Sequence, residues 1–456
     1  MRMALLAPTG RSSWRRLIGA LVATALVALT LPLATVRAAE SDRYVAAGGV
    51  DAGSCSSSAA PCRTIGYAIG QSAAGDTVNV GPGTFVENVV VDRSVTLHGD
   101  EDGATVIEPA ASAPNPCLGS SLCGGTASNM ILVQASNVTI SNLVLDGDNP
   151  ALTSGIVRNG ADLDARNGII TNYLLGVYDG LVVQNVTVRN VYLRGIYAAS
   201  GGSFDFHDNA VTNVQGDGYS IGMFAWGGPG IMADNRVSYA NDGISANHSK
   251  GIQFLDNTVT RSASGVHTDN SGDGGGVADV IAGNTVRDCS ANGYGVWVFV
   301  PYIAPTVRDN SIKGCAVGLG AFGGAFGPTV TTIFSGNRVD GARSAGSIGA
   351  YVSTTTFGYG DTNVAASFLD NSIVRNDIGV LVEETGGTTT DVVLHDNAIA
   401  RNGVGLENTG ATLVDATNNW WGCKAGPSDT AHCNGIIGPV NAVPWLVRRP
   451  HDAHDD

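Results

Sequence analysis

The chain contains little charge and almost no lysine. Charged residues make up 14 % of its 456 residues, against about 25 % in an average globular protein, and the lysines are Lys250, Lys313 and Lys424. Such a composition excludes a charged helical bundle. The formal net charge of −15 also leaves no broad basic surface, which binding to a phosphate backbone requires. We therefore expect no nucleic-acid partner.

Long apolar stretches are absent after residue 39. The one such run, 17–36, follows basic residues that end at Arg16 and precedes the small residues Ala38 and Ala39. This order is typical of an export signal. Residues 1–39 are therefore predicted to be a signal peptide, and the mature protein is predicted to be secreted, without membrane contact after cleavage. An uncleaved anchor stays open as an alternative, as does the choice between general and twin-arginine export.

Several common functional motifs are missing. The sequence has no GxxxxGK[ST] phosphate loop, no HExxH and no CxxC pair, so it gives no motif for nucleotide or zinc chemistry. A disordered chain is excluded because 43 % of the residues are hydrophobic. With 62 glycines, the composition instead indicates many short strands joined by turns.

One pattern recurs from residue 180 onward, with a period of about 26 residues. Each repeat has an asparagine between short alternating runs and then a glycine followed by an aliphatic residue. The asparagines are Asn185, Asn209, Asn235, Asn257, Asn284, Asn310, Asn337, Asn371, Asn397 and Asn419. The runs are too short to form a sheet alone, so they must stack on their neighbours. The repeat predicts coils of a parallel β-solenoid, each rising by one strand spacing.

These repeats, such as Phe254–Val259 followed by Gly265-Val266, resemble the right-handed parallel β-helix proteins of the pectate-lyase-like superfamily. Residues 63–71 look like the N-terminal cap helix of secreted bacterial members, and residues 418–446 look like their closing coil. The resemblance implies an all-β, right-handed parallel β-helix with an N-terminal cap helix. It covers roughly residues 44–447 and implies a substrate groove on the sheet of the glycine strands.

The expected organisation of the chain follows from these segments. Residues 1–39 are the signal peptide, 40–100 the N-terminal cap and first coils, 101–415 the parallel β-helix, 416–447 the closing coil and 448–456 a disordered tail. We expect a monomer.

Eight cysteines in an exported chain predict disulfides. Close neighbours in sequence are expected to pair. The predicted bonds are Cys55–Cys62, Cys117–Cys123, Cys289–Cys315 and Cys423–Cys433. The third pair follows two consecutive asparagines of the repeat, so it would join adjacent coils.

Alternation along the glycine strands turns every second residue outward, and chemically active side chains gather in the middle of that face. The candidate catalytic residues are Asp217, Asp242, His267 and Asp269. Asp217 and Asp242 both precede a glycine, and stacking would pair their carboxylates for glycosidic acid–base chemistry. Turn formation by Asp-Gly is the alternative for both aspartates. His267 would instead serve as a proton-abstracting base, or be a solvated side chain.

The candidate substrate-binding residues are polar or aromatic. They are Asn247, His248, Trp297, Phe299, Phe322 and Tyr351. Exposed rings in a groove suit the apolar faces of sugars, although loops of neighbouring coils would equally explain the rings by covering them. Asp269, Ser271 and Asp273 have the spacing of oxygen ligands in a calcium loop, with a flexible glycine-rich loop as the alternative. Calcium is the one cofactor that the sequence suggests.

A row of basic residues follows the asparagines. Its members are Arg189, Arg261, Arg287, Lys313, Arg375 and Arg401. We expect them to pair with acids of adjacent turns, and the alternative is that the row holds an acidic glycan.

Three functions are consistent with this sequence. The first is a secreted carbohydrate-active enzyme that cleaves or modifies an extracellular polysaccharide. Hydrolysis is favoured over lyase or epimerase chemistry, because no outward arginine or lysine is predicted in the groove to neutralise a uronate. The second is a non-catalytic surface or matrix protein that binds a cell-surface glycan. The third is a purely structural solenoid.

Overall fold

Short parallel strands make up nearly all the regular structure of this chain. The computed structural model describes residues 41–102, 104–269, 276–290, 292–299, 303–323, 329–355, 362–428 and 433–450. The predicted signal peptide lies outside these residues, as do residues 451–456 of the predicted tail and two members of the predicted calcium loop, Ser271 and Asp273. No helix in the described part of the chain is long and apolar enough to cross a membrane.

Each full coil contributes one strand to each of three stacks of parallel strands. Along a coil the chain passes through the first, the second and the third stack in that order. The first stack is a 15-stranded sheet. Its strands are Asp42–Val45, Thr77–Val80, Thr96–His98, Thr139–Ser141, Leu181–Gln184, Phe204–His207, Gly230–Ala233, Ile252–Leu255, Val280–Ala282, Thr306–Arg308, Thr331–Ser335, Val364–Leu369, Thr390–His395, Val414–Asp415 and Val440–Asn441.

The second and third stacks share the long strand Thr187–Ala198, which pairs with Ala210–Val214 of the second stack and with Ile221–Trp226 of the third. The other strands of the second stack are Gly83–Val86, Thr105–Glu108, Val144–Asp146, Ala210–Val214, Arg236–Ala240, Thr258–Thr260, Thr285–Arg287, Ser311–Lys313, Arg338–Asp340, Ser372–Val374 and Ala398–Ala400. Those of the third stack are Val89–Val91, Asn129–Val133, Ala165–Thr171, Ile221–Trp226, Asp242–Asn247, Ser264–Asp269, Tyr294–Phe299, Val317–Phe322, Ile348–Ser353, Ile378–Glu383, Val404–Asn408 and Ile436–Ile437.

Three small elements complete the described structure. An α-helix spans Ile65–Gly70, inside the segment predicted to form the cap helix; its role as a cap stays a prediction. A 3₁₀ turn spans Cys123–Gly125. An antiparallel pair joins Val157–Arg158 to Ala161–Asp162. The stacked parallel coils confirm the predicted β-helix.

The interior is a continuous column of aliphatic and phenylalanine side chains. Val266 and Phe254 of one coil are fully buried, and the rings of Phe334 and Phe368 stack in adjacent coils with centroids 4.7 Å apart. Burial of each such side chain contributes about 1.5–3 kcal/mol. Because no coil buries its inner face alone, the coils are stable only as a stack.

The recurrent glycine has a steric cause. A Cβ on Gly265 would lie 2.2 Å from the carbonyl oxygen of Gly295 and 2.6 Å from a methyl group of Val286. The chain therefore passes from the second to the third stack through a space that admits only glycine.

The asparagines form a buried ladder through the solenoid. The Nδ2 of Asn257 donates to the Oδ1 of Asn284 over 3.0 Å and to the carbonyl oxygen of Met232 over 2.8 Å. Its backbone N–H donates to the same Oδ1 over 3.0 Å. This pattern repeats from Asn209 to Asn419, so each turn is hydrogen-bonded to the next.

Asn185 was predicted to occupy the same repeat position as these asparagines, and that prediction is wrong. Val186 occupies the ladder position in this coil, and its N–H donates to the Oδ1 of Asn209. Asn185 is exposed and has a φ of 52°. It corresponds to Asp256, which precedes a ladder asparagine and has a φ of 53°. The left-handed backbone conformation therefore belongs to the residue that directly precedes the ladder position of its coil.

All four predicted disulfides are present. They join Cys55 to Cys62, Cys117 to Cys123, Cys289 to Cys315 and Cys423 to Cys433. The third one links two consecutive coils, as the repeat predicted.

Candidate functional site

A cavity of about 700 Å³ opens on the outer face of the third stack. We call it the groove cavity. Its lining includes the side chains of Arg194, Tyr197, Phe224, Trp226, Asp242, Asn247, Ser264, His267, Tyr294 and Trp297. These residues come from five consecutive strands of the stack, so the parallel register brings them to one surface.

Asp242 and His267 lie on adjacent strands of this surface. The Nδ1 of His267 is 3.5 Å from the Oδ2 of Asp242. Burial alone raises the pKa of Asp242, but the hydrogen bond and charge of His267, with the hydroxyl of Ser264, hold this pKa below its ordinary value. Asp242 is therefore ionised at neutral pH. In the neutral tautomer whose Nδ1–H is directed at Asp242, the lone pair of His267 lies on Nε2.

Trp297 forms the next layer. Its indole stacks on the imidazole of His267, with centroids 3.8 Å apart and planes inclined by 5°. The indole Nε1 donates to the Oγ of Ser264 over 2.8 Å. The ring of His267 thus has a carboxylate at one edge and an indole against one face, which fixes its orientation.

Arg194 brings a positive charge to the same cavity. Its guanidinium donates to the carbonyl oxygen of Tyr219 and lies over the rings of Phe224, at 5.0 Å, and Tyr197, at 5.9 Å. Burial lowers the pKa of Arg194 to about 10, so the side chain remains a cation at neutral pH. Its placement on two aromatic faces holds the charge in the cavity that Asp242 and His267 also line.

Four buried polar atoms around this cavity have no hydrogen-bond partner among the described residues. They are Asp242 Oδ1, His267 Nε2, Arg194 Nε and Ser245 Oγ. Buried polar groups are nearly always satisfied in folded proteins. An unpartnered carboxylate oxygen, imidazole nitrogen and guanidinium N–H on one surface indicate a site that a polar ligand completes.

A disulfide-bonded loop covers one end of the groove cavity. Ser120 and Ser121 line the cavity, and Leu122 packs among Ile170, Tyr197 and Phe224. The fully buried Arg166 holds this loop by donating to the carbonyl oxygens of Pro114, Ser120 and Ser121. The loop therefore forms a fixed wall.

The sequence matches the model of a protein family described as the right handed beta helix region, over residues 167–332 and 242–421. Together these matches span more than half of the chain. The chain belongs to this family. No curated protein matches it in sequence.

Several solved structures resemble this β-helix protein. A DFA-IIIase from Arthrobacter chlorophenolicus A6, without its lid, has 15 % identity and a TM-score of 0.36 over 82 % of this chain and 89 % of its own. The Yersinia enterocolitica family 28 exopolygalacturonase has 14 % identity and a TM-score of 0.44 over 89 % of this chain and 77 % of its own. PfbA, a surface adhesin of Streptococcus pneumoniae, has 11 % identity and a TM-score of 0.45 over 72 % of this chain and 86 % of its own. Similarity at this level carries no argument about activity.

The β-helix places four of the predicted site residues in the groove cavity. These are Asp242, His267, Asn247 and Trp297. The lining does not include His248, whose ring packs on Trp226 with centroids 4.5 Å apart. Asp269 is buried at the end of its strand.

Asp217 does not stack on Asp242, contrary to the prediction. In the observed register Asp242 pairs with Ile221, because Gly222 and not Gly218 is the strand glycine of that coil. Asp217 lies in a turn, where its Oδ1 accepts the backbone N–H of Tyr219 over 2.8 Å. Asp217 is therefore a turn residue, which was the alternative, and its carboxylate does not pair with that of Asp242.

The same turn contains a GxSxG spacing at residues 218–222, which the sequence analysis did not identify. Its serine, Ser220, is fully buried and donates to the carbonyl oxygen of Tyr192 over 2.8 Å. Ser220 is therefore a turn residue and not an accessible nucleophile.

The prediction that the aromatic side chains of the coils after His267 are exposed is wrong for Phe299 and Phe322. Phe322 is 1 % exposed and Phe299 8 % exposed, because they pack with the partly buried rings of Tyr294, Trp297 and Tyr351. The hydroxyl of Tyr351 donates to Glu383. Phe299, Phe322 and Tyr351 thus form a cluster beside the groove cavity and do not line it.

Arg194 was not predicted as a site residue, although the sequence contains a signal for it. Arg194 stands directly before the strand glycine Gly195, as Asp242 stands before Gly243. This position is outward-facing and belongs to the cavity wall, so the expectation of a groove without an arginine is wrong.

The predicted calcium site stays untested because Ser271 and Asp273 lie outside the described residues. Within the described ranges, no group of three or more His, Cys, Asp or Glu side chains is arranged to hold a metal ion.

Proposed function

We propose that this protein is an extracellular enzyme that modifies an acidic polysaccharide in the groove cavity. In this assignment His267 is the base, Asp242 orients it and Arg194 holds the acidic group of the sugar. One observation carries the proposal: the buried, partnerless Nε2 of His267 shares a cavity with a partly buried arginine. The four disulfides agree with an extracellular location.

The geometry supports proton abstraction better than hydrolysis by two carboxylates. Asp242 has a lowered pKa, so it is a poor general acid, and Asp217 is engaged in a turn. A histidine whose Nδ1–H is held by a carboxylate has its Nε2 available as a base. The cation that the sequence analysis found missing from the groove is Arg194.

The corresponding reaction is β-elimination on a uronate. Nε2 of His267 takes the proton from the carbon next to the carboxylate, and the C–H electron pair becomes the new C=C bond. The bond between the adjacent carbon and the glycosidic oxygen breaks, the leaving oxygen takes up a proton, and His267 releases its proton to solvent. Arg194 neutralises the charge that builds up on the carboxylate.

The test is a screen of the secreted protein against polygalacturonate, alginate and chondroitin, followed by absorbance of the unsaturated uronate product. Neutral inulin and arabinan, with a reducing-end assay, test hydrolysis. We expect elimination of one uronate polymer and its loss, by at least 100-fold in kcat, in His267→Ala.

A matched control is available in the same chain. His395 forms a second His–Asp contact, with its Nε2 3.2 Å from the Oδ2 of Asp415, outside the groove cavity. His395→Ala should leave the activity within twofold of wild type. Equal losses in both histidine variants, or reducing ends from neutral glycans alone, would overturn the assignment.

A second candidate is glycan binding without turnover. The observation in its favour is the aromatic wall of the cavity, where the rings of Tyr197 and Phe224 pack with centroids 4.7 Å apart. Binding of a uronate polymer that Arg194→Gln abolishes, with no product from any polymer, would favour this candidate.

A further inference from the structure

A second cleft, of about 1330 Å³, lies among the last coils of the solenoid. Four arginines line it: Arg343, Arg375, Arg401 and Arg449. Among the described residues, Asp377 is the one acid in its lining. The cleft shares no lining residue with the groove cavity. Arg401 precedes a third-stack strand five coils after that of His267, which is roughly 24 Å along the axis at about 4.8 Å per coil.

Two of these arginines follow adjacent strands. Arg375 comes after Ser372–Val374 and Arg401 after Ala398–Ala400, and these strands pair in register. Both arginines have left-handed backbones, with φ of 60° and 62°. Their backbones are therefore about one strand spacing apart, 4.8 Å, and two positive charges leave the solenoid side by side. This arrangement is unfavourable unless an anion lies between them.

The charges are only partly neutralised within the chain. Arg375 forms two hydrogen bonds with Asp340. Neither Arg343 nor Arg401 has an ion-pair partner among the residues that the structure describes. Both are exposed. In a protein with a net charge of −15, such a local excess of positive charge is a departure from the rest of the surface.

The basic row is only partly paired. Arg189 pairs with Asp146 over 2.8 Å, and Arg261 donates to the hydroxyl of Tyr239 over 2.8 Å while lying on its ring. The expectation that the row pairs with acids of adjacent turns therefore holds for Arg189 and Arg375. It fails for the members that have no ion-pair partner among the described residues, which are Arg261, Arg287, Lys313 and Arg401. Of these four, Arg401 lines the cleft.

An aromatic ring completes the cleft. Trp420 lines it and is partly exposed, which gives a flat apolar face next to the cations. A sugar ring has an apolar face that packs on an indole, and its carboxylate or sulfate group accepts hydrogen bonds from guanidinium groups.

We propose that this cleft is a binding site for an anionic polysaccharide, through carboxylate or sulfate groups bound by Arg343 and Arg401 and a sugar ring stacked on Trp420. A glycan fits better than a nucleic acid, because the acidic remainder of the protein repels a long, densely charged polymer while a few sugar units lie within the cleft. The site does not depend on the function proposed for the groove cavity.

The test uses the full secreted chain and measures its affinity for polygalacturonate, chondroitin sulfate and neutral dextran by affinity electrophoresis at low salt. The first two polymers separate carboxylate from sulfate. We expect binding to at least one of them and none to dextran. The double variant Arg343→Gln/Arg401→Gln should lose at least tenfold in affinity, and Trp420→Ala at least threefold.

The matched control is Arg189→Gln/Arg261→Gln, which removes two charges from the same row outside the cleft. It should bind within twofold of wild type. An Arg343→Lys/Arg401→Lys variant retains the charge and should retain part of the affinity.

Three results would overturn the proposal. They are an equal loss in the control double variant, unchanged binding in the cleft double variant, or stronger retention by duplex DNA than by either anionic glycan. Circular dichroism of all variants, which alter exposed arginines, verifies that the β-helix is intact.

Discussion

The imidazole of His267 lies flat against the indole of Trp297, with centroids 3.8 Å apart, while its Nδ1 faces Asp242. Two elements on either side of the His267 strand therefore fix this ring. A base whose direction is set before the substrate arrives loses little entropy in the reaction.

Replacement of Trp297 tests this support. Trp297→Phe retains a ring but loses the Nε1 bond to Ser264, and we expect kcat to fall by about threefold to tenfold. Trp297→Ala removes the stack, and kcat should fall by about 100-fold while the apparent KM stays within threefold. Kinetics well below the unfolding temperature separate this effect from stability. Equal kcat in wild type and Trp297→Ala would contradict the positioning role.

Arg194 should govern the affinity for the charged part of a substrate. Arg194→Gln is expected to raise KM for an acidic glycan at least tenfold, because a partly buried guanidinium–carboxylate contact contributes about 1.5–3 kcal/mol. Arg194→Lys should have an intermediate effect. Steady-state kinetics at constant ionic strength measures both. An equal rise in KM for a neutral glycan would show that Arg194 supports the folded structure and does not bind the acidic group of the substrate.

The asparagine ladder should dominate local stability. Asn284→Ala leaves the backbone N–H and the Nδ2 of Asn257 without their shared acceptor. We expect the free energy of unfolding to fall by about 3–5 kcal/mol. Asn185→Gly, at the exposed left-handed position outside the ladder, should change it by less than about 1 kcal/mol, because glycine adopts this backbone conformation without strain. Denaturant unfolding monitored by circular dichroism compares the two, and similar midpoints would refute the ladder's role.

Glu384 should make the protein sensitive to acid. Burial alone raises the pKa of Glu384, but hydrogen bonds from Thr412, Thr390 and the backbone of Ala411 lower it to about 2. Because the folded pKa lies below the unfolded value of about 4.3, this carboxylate stabilises the fold above pH 4.3. That contribution disappears as the pH falls from about 4.3 to 2.

The corresponding variant is Glu384→Gln. We expect it to be about 1–3 kcal/mol less stable than wild type at pH 7, and the difference should shrink at pH 2.5. A difference that is constant from pH 7 to pH 2.5 would exclude the linkage. Thermal unfolding at a series of pH values provides the measurement.

The sequence predicted the parts of this fold that repeat. A period of about 26 residues and a glycine before each inner aliphatic residue reflect steric constraints that act on every coil, such as the contact of Gly265 with Gly295 and Val286. Cys289 and Cys315 follow the same period, so their disulfide was predictable as well.

Errors arose where several residues satisfied the pattern equally well. Gly218 and Gly222 are both followed by a hydrophobic residue, and only the pairing of Ile221 with Asp242 shows which of them enters the strand. In the coil of Asn185 the ladder position is occupied by Val186, which supplies a backbone N–H donor but has no side-chain amide. Local sequence does not contain the register between coils.

The candidate site was only partly predictable for a related reason. Asp242, His267, Asn247 and Trp297 lie on the expected face. The burial of Phe299 and Phe322 depends on side chains of neighbouring coils that pack around them. The wall made by the 117–123 disulfide loop depends on Arg166, which lies 46 residues beyond Ser120.

The ladder of asparagines also has a direction. Each Oδ1 accepts from the preceding coil, and each Nδ2 bridges both neighbours, as that of Asn284 does by donating to the carbonyl oxygen of Phe254 and to the Oδ1 of Asn310. The last asparagine, Asn419, donates to the carbonyl oxygen of Leu394 in the preceding coil and to those of Ala416 and Thr417 in its own coil. Its Nδ2 is therefore satisfied without a further asparagine, and the final coil acts as a terminator of the ladder.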